Sequence, residues 1–326
     1  MANAVQLLIG AGGIYGAFIY YGVLQEGIYN YVGKDGSKFN FTLFLLLLEC
    51  SANVLVGLVG YLVTGGTKGL PQDMFALTGG TQIAAKFLTN AAMATGVSFP
   101  TQALAKSGKM IPVMIGGLVL GGRKYSMREY LQVAAIVGGT AIFNLAKGKG
   151  GGKSSSALGF LCLVGSLVCD GITGGCQDGL KEKARKKGLK AKPYDMMLWT
   201  NFYMMLYMLV ASILTGEFFT GYSWTMANPS VLKDILYFSA CSAVGQSFIF
   251  FVVSVFDPLV CTTITTTRKI GSVLSSILIY GHSMSMQRWF GVALAVVGIL
   301  GELESKLFNS KSKKLPHAHP KPIHAA

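Results

Sequence analysis

Apolar residues run along this chain in blocks of about twenty, separated by short polar connections. A helix rises about 1.5 Å per residue, so roughly 20 apolar residues cross the ~30 Å hydrocarbon core of a bilayer. Ten blocks satisfy this, at residues 4–25, 41–63, 74–96, 99–120, 127–145, 157–179, 195–216, 231–255, 258–280 and 286–304. A transmembrane barrel would show shorter segments of alternating character. The predicted fold class is all-α and integral to the membrane, with ten transmembrane helices. Residues 1–24 lack a basic leading region and a cleavage site and are read as the first span.

The polar connections set an expected orientation. With ten spans, alternate loops and both termini share one side. That side holds Lys68, Arg123, Lys124, Arg128, the cations between Lys181 and Lys192, and five lysines from Lys306 to Lys321. The other side holds Lys34, Lys38, Lys147, Lys149, Lys153 and Arg288, so the count is sixteen against six. Lys and Arg are retained on the cytosolic side of membrane proteins, which places both termini in the cytosol. The sequon Asn40-Phe41-Thr42 then lies on the lumenal side, close against the membrane.

An internal repeat is visible. Gln25-Glu26-Gly27 recurs as Gln177-Asp178-Gly179 at a spacing of 152, and Lys109, Ile111 and Ser126-Met127 align with Arg268, Ile270 and Ser285-Met286 at a spacing of 159. The expected organisation is a first five-helix repeat at 1–146, a flexible linker at 147–156, a second five-helix repeat at 157–304, and a disordered cytosolic tail at 305–326. Five is odd, so the second repeat must be inverted. Inverted repeats allow one midplane site to be reached from either side of a membrane.

Composition agrees with the pattern. Hydrophobic residues make up 52% and charged residues 13%, half the charge of a typical soluble domain. The mean hydropathy is +0.50. Glycine, at 42 residues, suits helices whose backbones approach closely. A net charge of +14 could indicate nucleic acid, but without a soluble domain it reads as loop charge or attraction for an anionic solute, so no nucleic-acid partner is expected. Cys162, Cys169 and Cys176 recur every seventh residue without a CxxC motif. They read as a stripe of small packed residues, and neither a disulfide framework nor a metal site is expected.

One run departs from this background: Thr262-Thr263-Ile264-Thr265-Thr266-Thr267-Arg268-Lys269, midway along the ninth span. A cation at the centre of a membrane helix costs about 2.5–3.5 kcal/mol on insertion scales, so adjacent cations are kept there for a cavity, a partner or an anionic ligand. Lys106 and Lys109 lie three apart in the fourth span and share a helical face. By the same spacing Thr265, Ser272 and Ser276 fall on or near the face of Arg268 and Lys269 in the ninth span. The repeat makes these two helices counterparts, and their convergence would suit a diphosphate: guanidinium forks, ammonium point charges and threonine hydroxyls all donate to phosphate oxygens.

The alternative is pairing with the intramembrane acids Glu49, Asp170 and Asp178, of which Glu49 is itself a candidate binding residue and a partner for Lys86. Gln25, Asn90, Gln177 and Gln246 are amides at membrane depth that can read a base or a sugar, or pack between helices. Several other signals fail. Gly148 to Ser154 is one residue short of a phosphate loop and sits in the linker. Gly10, Gly12, Gly13 and Gly16 miss the dinucleotide-binding spacing. No constellation suggests catalysis, so the chain is not expected to be an enzyme, and no cofactor or metal is expected.

The segment Phe99-Pro-Thr-Gln-Ala-Leu-Ala-Lys-Ser-Gly-Lys-Met-Ile-Pro-Val-Met, with Gly245-Gln246-Ser-Phe-Ile-Phe and Thr265-Thr-Thr-Arg-Lys269, resembles the nucleotide-sugar transporters of the UDP-galactose transporter homologue branch, within the drug/metabolite transporter superfamily. The likeness runs from about Tyr15 to Leu303. It implies ten helices in inverted five-helix repeats, with Lys106, Lys109, Arg268 and Lys269 as phosphate contacts. It also implies exchange of a nucleotide conjugate for a nucleotide across the endoplasmic reticulum or Golgi membrane. UDP-galactose or UDP-glucose entering the lumen against a nucleoside monophosphate is the leading expectation. ATP/ADP or phosphoadenosine phosphosulfate exchange on the same scaffold remains open, as does a non-transporting membrane receptor or scaffold. The surroundings expected are membrane lipid and, optionally, a second copy in a homodimer.

Overall fold

The computed structural model describes residues 4–106, 126–145, 157–255, 258–281 and 284–314. Lys109 and the linker 147–156 lie outside them. The described residues form eleven helices: α1 Ala4–Asn30, α2 Thr42–Thr64, α3 Gln72–Ala94, α4 Phe99–Ala105, α5 Met127–Leu145, α6 Ala157–Lys186, α7 Pro193–Leu214, α8 Glu217–Ala227, α9 Pro229–Val255, α10 Pro258–Ile279 and α11 Met286–Lys314. Their only extended pairing is an isolated antiparallel bridge between Val32 and Lys38. By length and composition α1, α2, α6, α7 and α9 can each cross a membrane. Their outward faces are apolar too: Leu62, Leu214 and, on α10, Leu278 are 69%, 81% and 77% exposed. A helix that is apolar both inward and outward is suited to lipid, and the chain is an all-α, multi-pass membrane protein.

Element boundaries follow local chemistry. Proline opens α7, α9 and α10, at the first helical turn where its missing N–H costs nothing. Gly216, at φ 73°, ends α7 and starts α8. This short helix was not expected, because eleven residues are too few to span and its aromatics merge with the flanking apolar blocks. Its Glu217 carboxylate accepts the backbone N–H groups of Leu43 at 2.6 Å and Phe44 at 3.1 Å, capping α2 from a distant part of the chain. Trp224 of α8 packs against Tyr31, Phe39 and Phe41 and donates Nε1–H to Ser37 Oγ at 2.8 Å. The α1–α2 connection is thereby fixed over one end of the bundle. Three helices outrun their apolar blocks: α1 continues to Asn30, α6 to Lys186, and α11 to Lys314, where the tail was expected.

The most extensive pairings join the two halves of the chain: α5 with α11, α2 with α7, α3 with α6 and α1 with α9, followed by α3 with α7, α1 with α10 and α2 with α9, and then by α4 with α10. Glycine permits the closest of them. A Cβ on Gly139 of α5 would stand 2.5 Å from the Gly291 carbonyl oxygen of α11, and one on Gly291 would stand 2.7 Å from the Gly139 oxygen. Backbone meets backbone there, as in small-residue membrane interfaces. Gly57 of α2 lies close, though less tightly, against Leu198 of α7, where a Cβ would be 3.1 Å from its backbone.

Candidate functional site

Three turns of α1 form one wall of a cavity of about 280 Å³. Phe18, Tyr21 and Gln25 fall on one face by their spacing of three and four. The other walls come from Glu49 on α2, Lys86 on α3, Phe99, Gln102, Ala103 and Lys106 on α4, Ser242 and Gln246 on α9, and Arg268, Lys269 and Ser272 on α10. Glycines make room for this wall. A Cβ on Gly245 of α9 would lie 2.6 Å from the Phe18 ring, and one on Gly22 would lie 2.6 Å from Phe99.

Phe18 in turn carries Arg268, whose guanidinium carbon lies 4.7 Å from the ring centroid. A guanidinium over an aromatic face gains about 0.5–2 kcal/mol, more as water is removed. The contact holds the cation in place without neutralising it. No carboxylate among the described residues lies within ion-pair distance of Arg268.

The other cations differ. Lys86 Nζ is 2.8 Å from Glu49 Oε1, and Lys106 Nζ is 3.0 Å from Asp170 Oδ2 of α6. Glu49 Oε1 also accepts Ser242 Oγ–H at 2.7 Å and Tyr21 O–H at 3.3 Å. Ser242 extends this network to Asn53 and Asn201.

Eight buried side-chain atoms among the described residues lack a hydrogen-bond partner, and four belong to the cavity lining: Glu49 Oε2, Gln102 Oε1, Arg268 Nε and Ser272 Oγ. Leaving a buried polar group unpaired costs about 1–3 kcal/mol. Four of the eight such atoms among the described residues therefore belong to residues around one cavity.

The expected site residues separate here. Gln25, Glu49, Lys106, Gln246, Arg268 and Lys269 line the cavity together. Asn90 does not line it but accepts the Gln25 Nε2–H bond at 2.6 Å, so it orients a lining residue. Thr265 lies outside the lining, and its hydroxyl donates to the Cys261 carbonyl one turn back at 2.9 Å. Gln177 sits on α6, which packs against α3, and is not part of the lining.

Residues 6–306 match the UAA transporter family. The chain belongs to that family. It is therefore a transporter, of the nucleotide-sugar class that its motifs resemble, and not an enzyme. It is 35% identical to solute carrier family 35 member B1 of Danio rerio over 94% of this chain and 92% of that one. It is 34% identical to the protein of the same name in Xenopus tropicalis, over 91% and 93%, and in Mus musculus, over 94% and 94%. One crystal structure of another protein superimposes with a TM-score of 0.55 at 13% identity, covering 93% of this chain and 98% of that chain, a likeness of fold alone.

Within this family member, sequence reasoning did not single out Phe18, Tyr21, Phe99, Gln102 and Ser242 as site residues, while Ser272, placed near Arg268 by its spacing, does line the cavity. The aromatics carry no signal on apolar helices, where such residues are the background. The spacing of Ser272 four residues after Arg268 is the one clue that pointed to a lining position.

Proposed function

We propose that this transporter exchanges UDP-galactose or UDP-glucose for a nucleoside monophosphate by alternating access, carrying the conjugate from the cytosol into the lumen of the endoplasmic reticulum or Golgi. The observation that carries the reading is the Arg268 guanidinium: it sits beside Lys269 in a cavity of mixed aromatic and polar lining, is held by an aromatic face, and has no carboxylate against it among the described residues. A phosphate group supplies the missing charge and the acceptor that Nε lacks.

The pairing of helices supports the inverted five-plus-five repeat, with α8 as an addition to the second half. Counted without α8, the first half holds α1 to α5 and the second holds α6, α7, α9, α10 and α11. Exchanging each helix for its counterpart turns the pair α1–α9 into α6–α3, and leaves α2–α7, α4–α10 and α5–α11 as they are. The pairs α3–α7 and α2–α9 also exchange, while α1–α10 has no counterpart of similar extent between α6 and α4 among the described residues. The shared part of this packing suits two halves rocking about a site between them. Both termini face the cytosol in this reading, as the loop charges require.

ATP/ADP exchange is the second reading, because phosphate contacts alone do not choose a base. The test is uptake of labelled UDP-galactose into vesicles holding the purified protein and preloaded with UMP. The expected result is exchange that UMP and UDP-glucose inhibit and ATP and ADP do not. Exchange driven by ADP in place of UMP would overturn the uridine assignment. Absence of any nucleotide exchange would leave a scaffold.

A further inference from the structure

The unmet groups of the cavity are sorted by chemistry. Arg268 and Ser272, one turn apart on α10, leave donors that suit phosphate oxygens. Glu49 on α2 and Gln102 on α4 leave acceptors, Oε2 and Oε1. A phosphate cannot satisfy those acceptors, since it offers a carboxylate only like charge. They call for hydroxyl or N–H groups on an uncharged part of the same ligand.

Glu49 is built for this role. It is 1% exposed, and three donors from three different helices converge on one of its oxygens: Tyr21 of α1, Lys86 of α3 and Ser242 of α9. Lys86 supplies the counter-charge that an acid at membrane depth needs. All three crowd Oε1 and leave Oε2 without a donor, although an ionised carboxylate oxygen accepts two hydrogen bonds. Both ends border one cavity: Phe18, which carries Arg268, and Tyr21, which contacts Glu49, lie three residues apart on α1.

Resting on the phosphate reading of Arg268, we propose that Glu49 Oε2 accepts a hydrogen bond from a sugar hydroxyl of the nucleotide conjugate, with Lys86 as the positioning residue that presents it. The ligand then lies with its phosphates on α10 and its sugar toward α2 and α4. Ribose and hexose offer the same chemistry, and the choice between them is read by experiment.

Binding to the purified protein is measured by calorimetry with pyrophosphate, UDP, 2′-deoxy-UDP and UDP-galactose, for wild type, Glu49→Gln and the double variant Glu49→Gln with Lys86→Met. The double variant removes both charges with little change of volume, so it answers the question if the single variant does not fold. The expected result is about a tenfold fall in the affinity for UDP-galactose relative to pyrophosphate in either variant, as a charge-assisted hydrogen bond becomes a neutral or missing one. Loss of the preference for UDP over 2′-deoxy-UDP assigns the hydroxyl to ribose. Loss of the preference for UDP-galactose over UDP assigns it to the hexose. Retention of both preferences overturns the proposal. Failure of wild type to bind pyrophosphate would overturn the phosphate reading instead, which keeps the two distinguishable.

Discussion

Lys106 Nζ lies 3.0 Å from Asp170 Oδ2, so a lysine expected to hold phosphate is held by an acid of α6 in this conformation. Both side chains are about one-quarter exposed, at 25% and 26%. A ligand must draw Lys106 away from Asp170 to use it.

Asp170→Asn should therefore tighten binding of a diphosphate. A partly exposed ion pair is worth about 0.2–1 kcal/mol, so the gain is at most about fivefold. Lys106→Ala should weaken binding instead. Calorimetry on both variants checks this pair of opposite signs, and weaker binding by Asp170→Asn would mean that Asp170 itself touches the ligand.

Arg268→Ala removes a charged donor from a site with little water. Each charged hydrogen bond contributes roughly 1.5–3 kcal/mol, so affinity should fall by one to two powers of ten. Arg268→Lys should recover only part of this, because an ammonium has neither the planar fork nor the flat surface that stacks on Phe18. Thermal unfolding in detergent should stay cooperative in both variants. Normal substrate binding by Arg268→Ala would make the cation structural.

The sequence revealed the cationic half of this site because charge inside a membrane is costly and stands out. Arg268 and Lys269 are conspicuous among threonines, and Lys86 and Glu49 as a pair. Other parts were hidden for physical reasons. Phe18 and Tyr21 resemble any aromatic residue of an apolar helix until Gly245 is seen to admit Phe18 beneath Arg268. Gln177 is a candidate as an amide at membrane depth, but its helix α6 packs on α3 and it is not part of the lining. Thr265 was favoured by its spacing, yet its hydroxyl serves its own helix at the Cys261 carbonyl, a common habit of threonine in helices. Among the described residues most helices were legible from apolar block length; of the fourth block only Phe99–Ala105 is described, and α8 was not expected because its length falls below that of a span.

The α5–α11 contact gives a stability prediction with an internal control. A methyl group at Gly139 would stand 2.5 Å from the Gly291 oxygen and 2.6 Å from the Ala295 nitrogen, neither of which can yield without parting the helices. At neighbouring Gly138 the nearest atom is a Leu294 methyl carbon at 3.9 Å. Gly139→Ala should cost about 1–3 kcal/mol, as overpacking does. Gly138→Ala should be neutral or stabilising by up to about 1 kcal/mol, from helix propensity. Unfolding midpoints in detergent should move in opposite directions or differ clearly; equal midpoints would show that the helices separate at no cost.

The unmet groups of the cavity also bear on the mode of transport. Arg268 Nε, Glu49 Oε2, Gln102 Oε1 and Ser272 Oγ are buried without a partner in this conformation, and only an opening that admits water or a ligand that reaches them would satisfy them. Changing access requires the two halves to close over the site, and closure without ligand would strip that water and supply no partner. Each stranded group costs about 1–3 kcal/mol, and every ~1.4 kcal/mol slows a step about tenfold. Two such groups already give a reorientation roughly a hundredfold slower empty than loaded. A returning nucleoside monophosphate removes the penalty at the phosphate end, where Arg268 lies. Vesicles preloaded with UMP should therefore take up UDP-galactose ten- to a hundredfold faster, by about that estimate, than vesicles holding buffer alone. Initial rates of labelled uptake measure the ratio, and equal rates would indicate a uniporter or channel in which the empty site turns over freely.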